Sequence, residues 1–184
     1  MTLQILSYAA AQRLLCQPAL AANVTHIISI GDPLCGEPCG VREHPCWQER
    51  GLRLEFDDIE RWNLNYDRPF SWEQMDKLIS FAQGIPAGTP GVLVHCQQGL
   101  SRSTAAAVIL RLAQYSQMRG GCTNMVASVV AEVKALVPES KPNRRMIWMA
   151  DQHFGLCGQL KAAYRLVWPQ RSEDGIEVPE AQGR

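Results

Sequence analysis

Apolar residues recur along this chain with two different periods, and the alternation between them predicts its architecture. Short aliphatic runs bounded by turn residues occupy positions 3–6, 25–30, 52–56 and 91–94, and in the third of these Leu52, Leu54 and Phe56 alternate with polar neighbours as in a half-buried strand. Between and after them the spacing becomes helical: at 9–15, along Trp72, Met75, Leu78, Ile79 and Ala82, from Ser103 through Tyr115, and along Met125, Val126, Val129, Val130, Val133 and Leu136. Two further helices are predicted, one from Arg144 towards Phe154 and one over 159–168.

The punctuation agrees with the periodicity. Gly31-Asp32-Pro33 stops the second strand, Gly120-Gly121 breaks the chain after the third helix-like segment, and Pro138 ends the next. Ser71-Trp72-Glu73-Gln74 has the form of a capping box, with Phe70 and Met75 placed as its hydrophobic staple. Pro142-Asn143 reads as the N-cap of the helix that follows. Strands alternating with helices predict a layered α/β domain, here spanning 1–168 as one unit without internal repeats. From Pro169 onward Ser, Glu, Asp, Gly and Pro dominate, so 169–184 is expected to be a flexible tail.

One junction carries chemistry. Val94-His95-Cys96-Gln97-Gln98-Gly99-Leu100-Ser101-Arg102-Ser103 joins the fourth strand to a helix, with five residues between Cys96 and Arg102. Unpaired N–H groups at the start of a helix and in a tight glycine-containing loop converge on one point and favour negative charge there. A phosphoryl dianion meets that description. Gly99 lets the backbone turn where a Cβ would obstruct it, Arg102 supplies a planar fork for two phosphate oxygens, and the same field favours the thiolate of Cys96, which makes it a nucleophile.

These residues resemble a known family: His95-Cys96, Gly99, Arg102 and Ser103 match the His-Cys-x-x-Gly-x-x-Arg-Ser signature of the cysteine-dependent protein tyrosine phosphatases, in the form used by the dual-specificity branch. Low-molecular-weight phosphatases carry their cysteine near the N-terminus and do not fit Cys96, whereas the Pro142-Asn143 helix start also resembles the dual-specificity family, and its helix is expected to pack near the phosphate loop. The resemblance implies a central, mostly parallel sheet flanked by helices, and hydrolysis of phosphotyrosine, with phosphoserine and phosphothreonine as further substrates, through a cysteinyl-phosphate. It implies that Gln97, Gln98, Gly99, Leu100, Ser101 and Arg102 bind the phosphate, that the Ser103 hydroxyl eases departure of the Cys96 sulfur, and that His95 supports the loop by hydrogen bonding from outside the pocket. No cofactor is called for. A general acid is expected on a separate upstream loop, and Phe56-Asp57-Asp58 ends the third strand in the right place. Phosphatases of the regenerating-liver type use the second of two such aspartates, which favours Asp58 over Asp57. Asp67 and Asp76 are weaker candidates.

Composition narrows the partners. The 184 residues carry 18 basic and 18 acidic side chains, so nothing in the net charge points to nucleic acid or an acidic membrane surface. Neutral Gln97, Gln98 and Leu100 stand where phosphoinositide phosphatases of this superfamily usually place lysines, which makes a phosphorylated protein or peptide the expected substrate. A phosphate-binding module with little turnover would ordinarily have lost Cys96 or Arg102, and arsenate reduction would need a relay of cysteines for which only Cys122 and Cys157 lie downstream. No secretory or membrane-spanning segment is legible, so the expected location is cytoplasmic. Seven cysteines scattered through the chain do not form a disulfide framework. Cys35, Cys39, His44 and Cys46 could together ligate zinc, although their spacing is not that of a common zinc ribbon, and Trp47 beside them reads as a packing anchor.

Overall fold

A computed structural model describes residues 1–33, 35–37, 40–60, 68–118 and 121–169. Four strands, β1 (Thr2–Ser7), β2 (His26–Gly31), β3 (Gly51–Glu55) and β4 (Gly91–Cys96), form one sheet in the order β1-β4-β2-β3, every pairing parallel. The helices are α1 (Tyr8–Leu15), α2 (Pro18–Ala21), α3 (Trp47–Arg50), α4 (Trp72–Gln83), α5 (Arg102–Ser116), α6 (Val126–Leu136), α7 (Arg144–His153) and α8 (Gln159–Val167). The expected α/β architecture is present. Two short helices, α2 and α3, fall where the periodicity had shown only connections, because a single turn is too short to display a repeat.

The central strands β2 and β4 are buried along nearly their whole length, as strands covered on both faces must be. Their alternate residues feed two cores. Ile28, Ile30, Val92, Val94 and Cys96 enter a large cluster with α4, α5, α6, α7 and α8, whereas Ile27 and Leu93 join a small one with Ala11, Leu15, Ala21, Val24, Val41 and Cys46 of the opposite layer. Trp47 packs against the small cluster, in the anchoring role its position suggested. α5 is buried from Arg102 to Leu110 without interruption, so it is the axis of the large core rather than a surface helix. Three consecutive alanines, Ala105 to Ala107, give it the slimness that position requires.

Side chains fix the helix ends near the site. Ser71 accepts from the Gln74 backbone N–H while Gln74 returns a bond to the Ser71 N–H, completing the capping box ahead of α4. Asn143 caps α7 by accepting from Met146 N–H at 3.2 Å. The buried Asp151 carboxylate of α7 receives the N–H groups of Gly158, Leu160 and Lys161, so α7 caps α8 across a tight turn. Among the described residues no helix is long and apolar enough to cross a membrane.

Two stability measurements follow. Ser71→Ala removes the acceptor of the capping box and should cost about 1 kcal/mol, read as a Tm lower by about 2–4 °C for a domain of this size; an unchanged Tm would mean that water replaces the bond at no cost. His95, on β4, is almost wholly buried, and burial, assisted by the Arg53 charge, pushes its pKa down from 6.5 to about 4, against weaker opposition from the Cys96 backbone and the Glu37 charge. The unfolded chain therefore binds a proton between pH 6.5 and 4 that the folded chain does not, and stability should fall as pH drops through that window, by on the order of 3 kcal/mol from this residue. Urea unfolding across the window checks it, with His95→Asn losing that part of the slope.

Candidate active site

β4 delivers Cys96 to the C-terminal edge of the sheet, and the chain reverses at once into α5, the strand-loop-helix context that the signature required. Gly99 makes the reversal possible. Its φ is +76°, and a Cβ there would lie 2.6 Å from the Ser7 nitrogen and 2.7 Å from the Leu6 carbonyl carbon, backbone atoms that cannot swing aside. The loop rests directly on the end of β1, where Ser7 is in register with Cys96 and Tyr8 N–H donates to the Gln97 carbonyl at 3.2 Å. Gln97 and Gln98 face solvent, while Leu100 and Ser101 are partly buried.

The Cys96 sulfur is buried at the foot of this loop, 3.2 Å from Ser103 Oγ and 3.2 Å from Gly99 N–H, which donates to it. Thr104 secures the helix start by donating to the carbonyls of Leu100 and Ser101 at 2.7 and 2.8 Å. Arg102 is buried too, its side chain only 4 % exposed. One of its terminal nitrogens, Nη1, donates both to Asp32 Oδ1 and to the Phe56 carbonyl, each at 2.7 Å, and the guanidinium lies over the Phe56 ring. Nε makes no hydrogen bond among the described residues and stands 3.9 Å from Asp58 Oδ2. The fork is gripped at one corner and left uncommitted at Nε.

The paired aspartates occupy different environments. Asp57 Oδ2 accepts the Arg68 N–H at 2.7 Å, and Asp57 N–H donates to the Arg68 carbonyl at 2.8 Å, so Asp57 is tied through side chain and backbone to Arg68. Asp58 instead turns to the phosphate loop. Its Oδ1 accepts from Ser101 Oγ at 2.7 Å and from Asn143 Nδ2 at 2.9 Å. Asp67 lies outside the described residues, and Asp76 is on the exposed side of α4.

Behind Asp58, the segment before α7 braces the loop, with Lys141 N–H donating to the Leu100 carbonyl at 2.8 Å and Asn143 N–H to the Ser101 carbonyl at 3.3 Å. Glu60 holds the next residue of that segment, receiving both the backbone N–H and the guanidinium of Arg144. His95 sits on the strand face opposite Cys96, its ring edge-on to Tyr8 at 6.4 Å, and neither ring nitrogen makes a hydrogen bond among the described residues, so the supporting bond expected of it is not formed and its contribution is packing. Sequence reasoning missed Asp32 and the Phe56 carbonyl as partners of Arg102, and although it set the helix begun by Asn143 near the loop, it gave the Asn143 side chain no role beyond the cap. Asp32 had been read as a strand stop, and only its position at the C-terminal edge of a parallel sheet hinted at more.

The cysteine-rich segment stands apart. His44 Nδ1 is 3.0 Å from Cys46 Sγ and also accepts the Cys46 N–H, and both residues line, with Cys16, a crevice of about 680 Å³ to which the phosphate loop contributes nothing. Burial pushes the Cys46 thiol pKa up. Cys39 lies outside the described residues, and among those described no group of three His, Cys, Asp or Glu side chains is placed to hold a metal ion.

No protein-family model matches the chain, and no curated protein matches it in sequence. Its fold does have solved counterparts. The crystal structure of human DUSP28 superposes with a TM-score of 0.51 at 20 % identity, covering 92 % of this chain and 95 % of that one. A variant of human DUSP28 gives a TM-score of 0.49 at 21 % identity, over 90 % and 92 % of the two chains. With its strand order, its helices and the loop between β4 and α5 in place, the chain has the fold of the dual-specificity phosphatases.

Proposed function

We propose that this protein is a cysteine-dependent phosphatase that hydrolyses phosphotyrosine in protein substrates, and phosphoserine and phosphothreonine with it, by way of a phosphocysteine at Cys96. The observation that carries the reading is the placement of the Cys96 sulfur within 3.2 Å of both Ser103 Oγ and Gly99 N–H, at the base of a loop that ends in the buried Arg102. A thiolate so placed is aimed at a phosphorus seated among the loop amides of Gln97 to Ser101. Asp32 and the Phe56 carbonyl orient Arg102 before substrate arrives, which leaves the Nε edge of its fork to take phosphoryl oxygens as charge develops on them.

In the first step the Cys96 sulfur bonds to phosphorus as the bond to the leaving oxygen breaks, and Asp58 gives that oxygen its proton. In the second, water attacks the phosphocysteine, Asp58 receives the proton that water loses, and the Ser103 hydroxyl hydrogen-bonds to the departing sulfur. Asp57 is the poorer candidate because its carboxylate faces the Arg68 backbone and not the loop that holds Cys96. The uncharged Gln97 and Gln98 at the mouth favour a phosphoprotein over a polyanionic phosphoinositide. Residues 1–168 act as one catalytic unit, with the cytoplasm as its place of work.

Purified protein should hydrolyse p-nitrophenyl phosphate without added metal, since sulfur and guanidinium supply nucleophile and charge stabilisation. Cys96→Ser should abolish turnover while still binding tungstate by calorimetry; activity close to wild type in that variant would refute the covalent route. A panel of phosphopeptides with phosphoinositides as controls tests the substrate class, and a preference for the lipids would reverse the assignment.

Leaving-group dependence separates the two aspartates. Asp58→Asn should lose about 10²–10⁴ in kcat on phosphotyrosine peptides and much less on an aryl phosphate whose phenol is already acidic. Asp57→Asn should slow both substrates by similar modest factors through a weakened bond to Arg68. An exchange of these behaviours would make Asp57 the acid.

A further inference from the structure

Asn143 makes two bonds with opposite ends of one amide. Its Oδ1 accepts the Met146 N–H at 3.2 Å, which fixes which end is oxygen, since the reversed amide would set an NH₂ against an N–H. Its Nδ2 must then be the group that reaches Asp58 Oδ1 at 2.9 Å, with a longer bond to the Ile59 carbonyl at 3.4 Å. Asn143 is fully buried, so the amide has one conformation to offer. Ser101, the residue at the N-cap of α5, makes no capping bond with its side chain and donates instead to the same Asp58 oxygen at 2.7 Å.

Two donors converging on Oδ1 have a stereochemical result. The amide NH₂ and the Ser101 hydroxyl, both donating, occupy the two lone pairs of Oδ1, and the amide cannot turn acceptor for a proton placed there. The protonated carboxyl therefore carries its hydrogen on Oδ2, the oxygen on the side of Arg102 Nε at 3.9 Å, where the phosphatase reading seats the phosphoryl group. We propose that Asn143 is a positioning residue for the general acid: it selects the oxygen of Asp58 that carries the proton and holds that oxygen over the phosphate loop. The inference rests on the phosphatase reading and adds to it a group that touches neither substrate nor sulfur. It also gives the brace before α7 a chemical purpose, because the Lys141 and Asn143 backbone bonds to Leu100 and Ser101 fix the distance between the acid's holder and the loop that seats the phosphate.

A purely structural role for Asn143 as helix cap makes a different forecast, and serine separates the two. Asn143→Ser keeps an acceptor of nearly equal capping strength for Met146 N–H and removes the donor to Asp58. The expected result is a Tm within about 2 °C of wild type, an unchanged KM, and kcat on a phosphotyrosine peptide reduced about 10- to 100-fold, the scale expected for a misplaced catalytic group. The loss on p-nitrophenyl phosphate should be far smaller. Added to Asp58→Asn, the same substitution should cost nothing further, since the group it positions is gone. Asn143→Thr, whose hydroxyl also caps Met146 N–H and which also lacks the amide donor, repeats the test if the serine variant folds poorly.

Equal losses on both substrates, a loss that persists in the Asp58→Asn background, or no loss at all would overturn the proposal. Failure of the underlying reading looks different: it would appear as a wild type without phosphatase activity, or as an Asp58→Asn variant indifferent to leaving group, and either result would overturn both together.

Discussion

The approach of Gly99 to the Leu6–Ser7 backbone is the contact on which the site depends. It requires a residue that adopts positive φ and has no side chain, and only then can the loop fold flat against the end of β1. Once seated, the Gly99 N–H points at the Cys96 sulfur, and the Gln97 carbonyl takes the first backbone donor of α1. The register of β1 with β4 thereby becomes part of the geometry of the site, since a slip between these strands would lift the loop from its support. The signature glycine is thus a packing requirement as much as a turn requirement.

A second constraint is charge. Arg102 lies inside the protein, where an uncompensated guanidinium would be costly, and the fold meets it with the Asp32 carboxylate and the Phe56 carbonyl at one corner and the Phe56 ring beneath, while the Asp58 carboxylate stands 3.9 Å from Nε. The compensation is lopsided by construction. Asp32 follows β2 and Phe56 follows β3, so the two strands farthest from β1 both end in partners for an arginine that begins α5. The sheet edge thus aligns one corner of the fork and leaves Nε facing the place where a ligand's charge would complete the balance.

Most of the architecture was legible because periodicity and punctuation agreed. The capping box at Ser71 and Gln74, the Asn143 cap and the alternation of Leu52, Leu54 and Phe56 each rest on local chemistry, and each element formed where those signals lay. The loop from Cys96 to Ser103 was legible for another reason: its residues are close in sequence, so one glycine, one cysteine and one arginine display the whole arrangement. Asp32 was not legible as a member of the site, and Asn143 was legible only as the start of a helix near the loop. Their roles depend on partners 70 and 85 residues away, and each had a sufficient local explanation that concealed the distant one. The separation of Asp57 from Asp58 was only half visible, because two adjacent carboxylates look alike until the fold ties one of them to Arg68.

The span of these contacts bears on how the protein folds. Ser101 meets Asp58 across 43 residues, Arg102 meets the Phe56 carbonyl across 46, and Asn143 meets Asp58 across 85. Such pairings carry a high loop-closure cost and can form only when the parallel sheet has assembled, which makes them late events on the folding route. A chain emerging from the ribosome has Cys96 and Arg102 before it has Asn143, and so has the residues of the loop before it has the one that holds Asp58. Completion of the site is therefore a property of the finished fold: the brace before α7 closes it only after every strand of the sheet has been laid down.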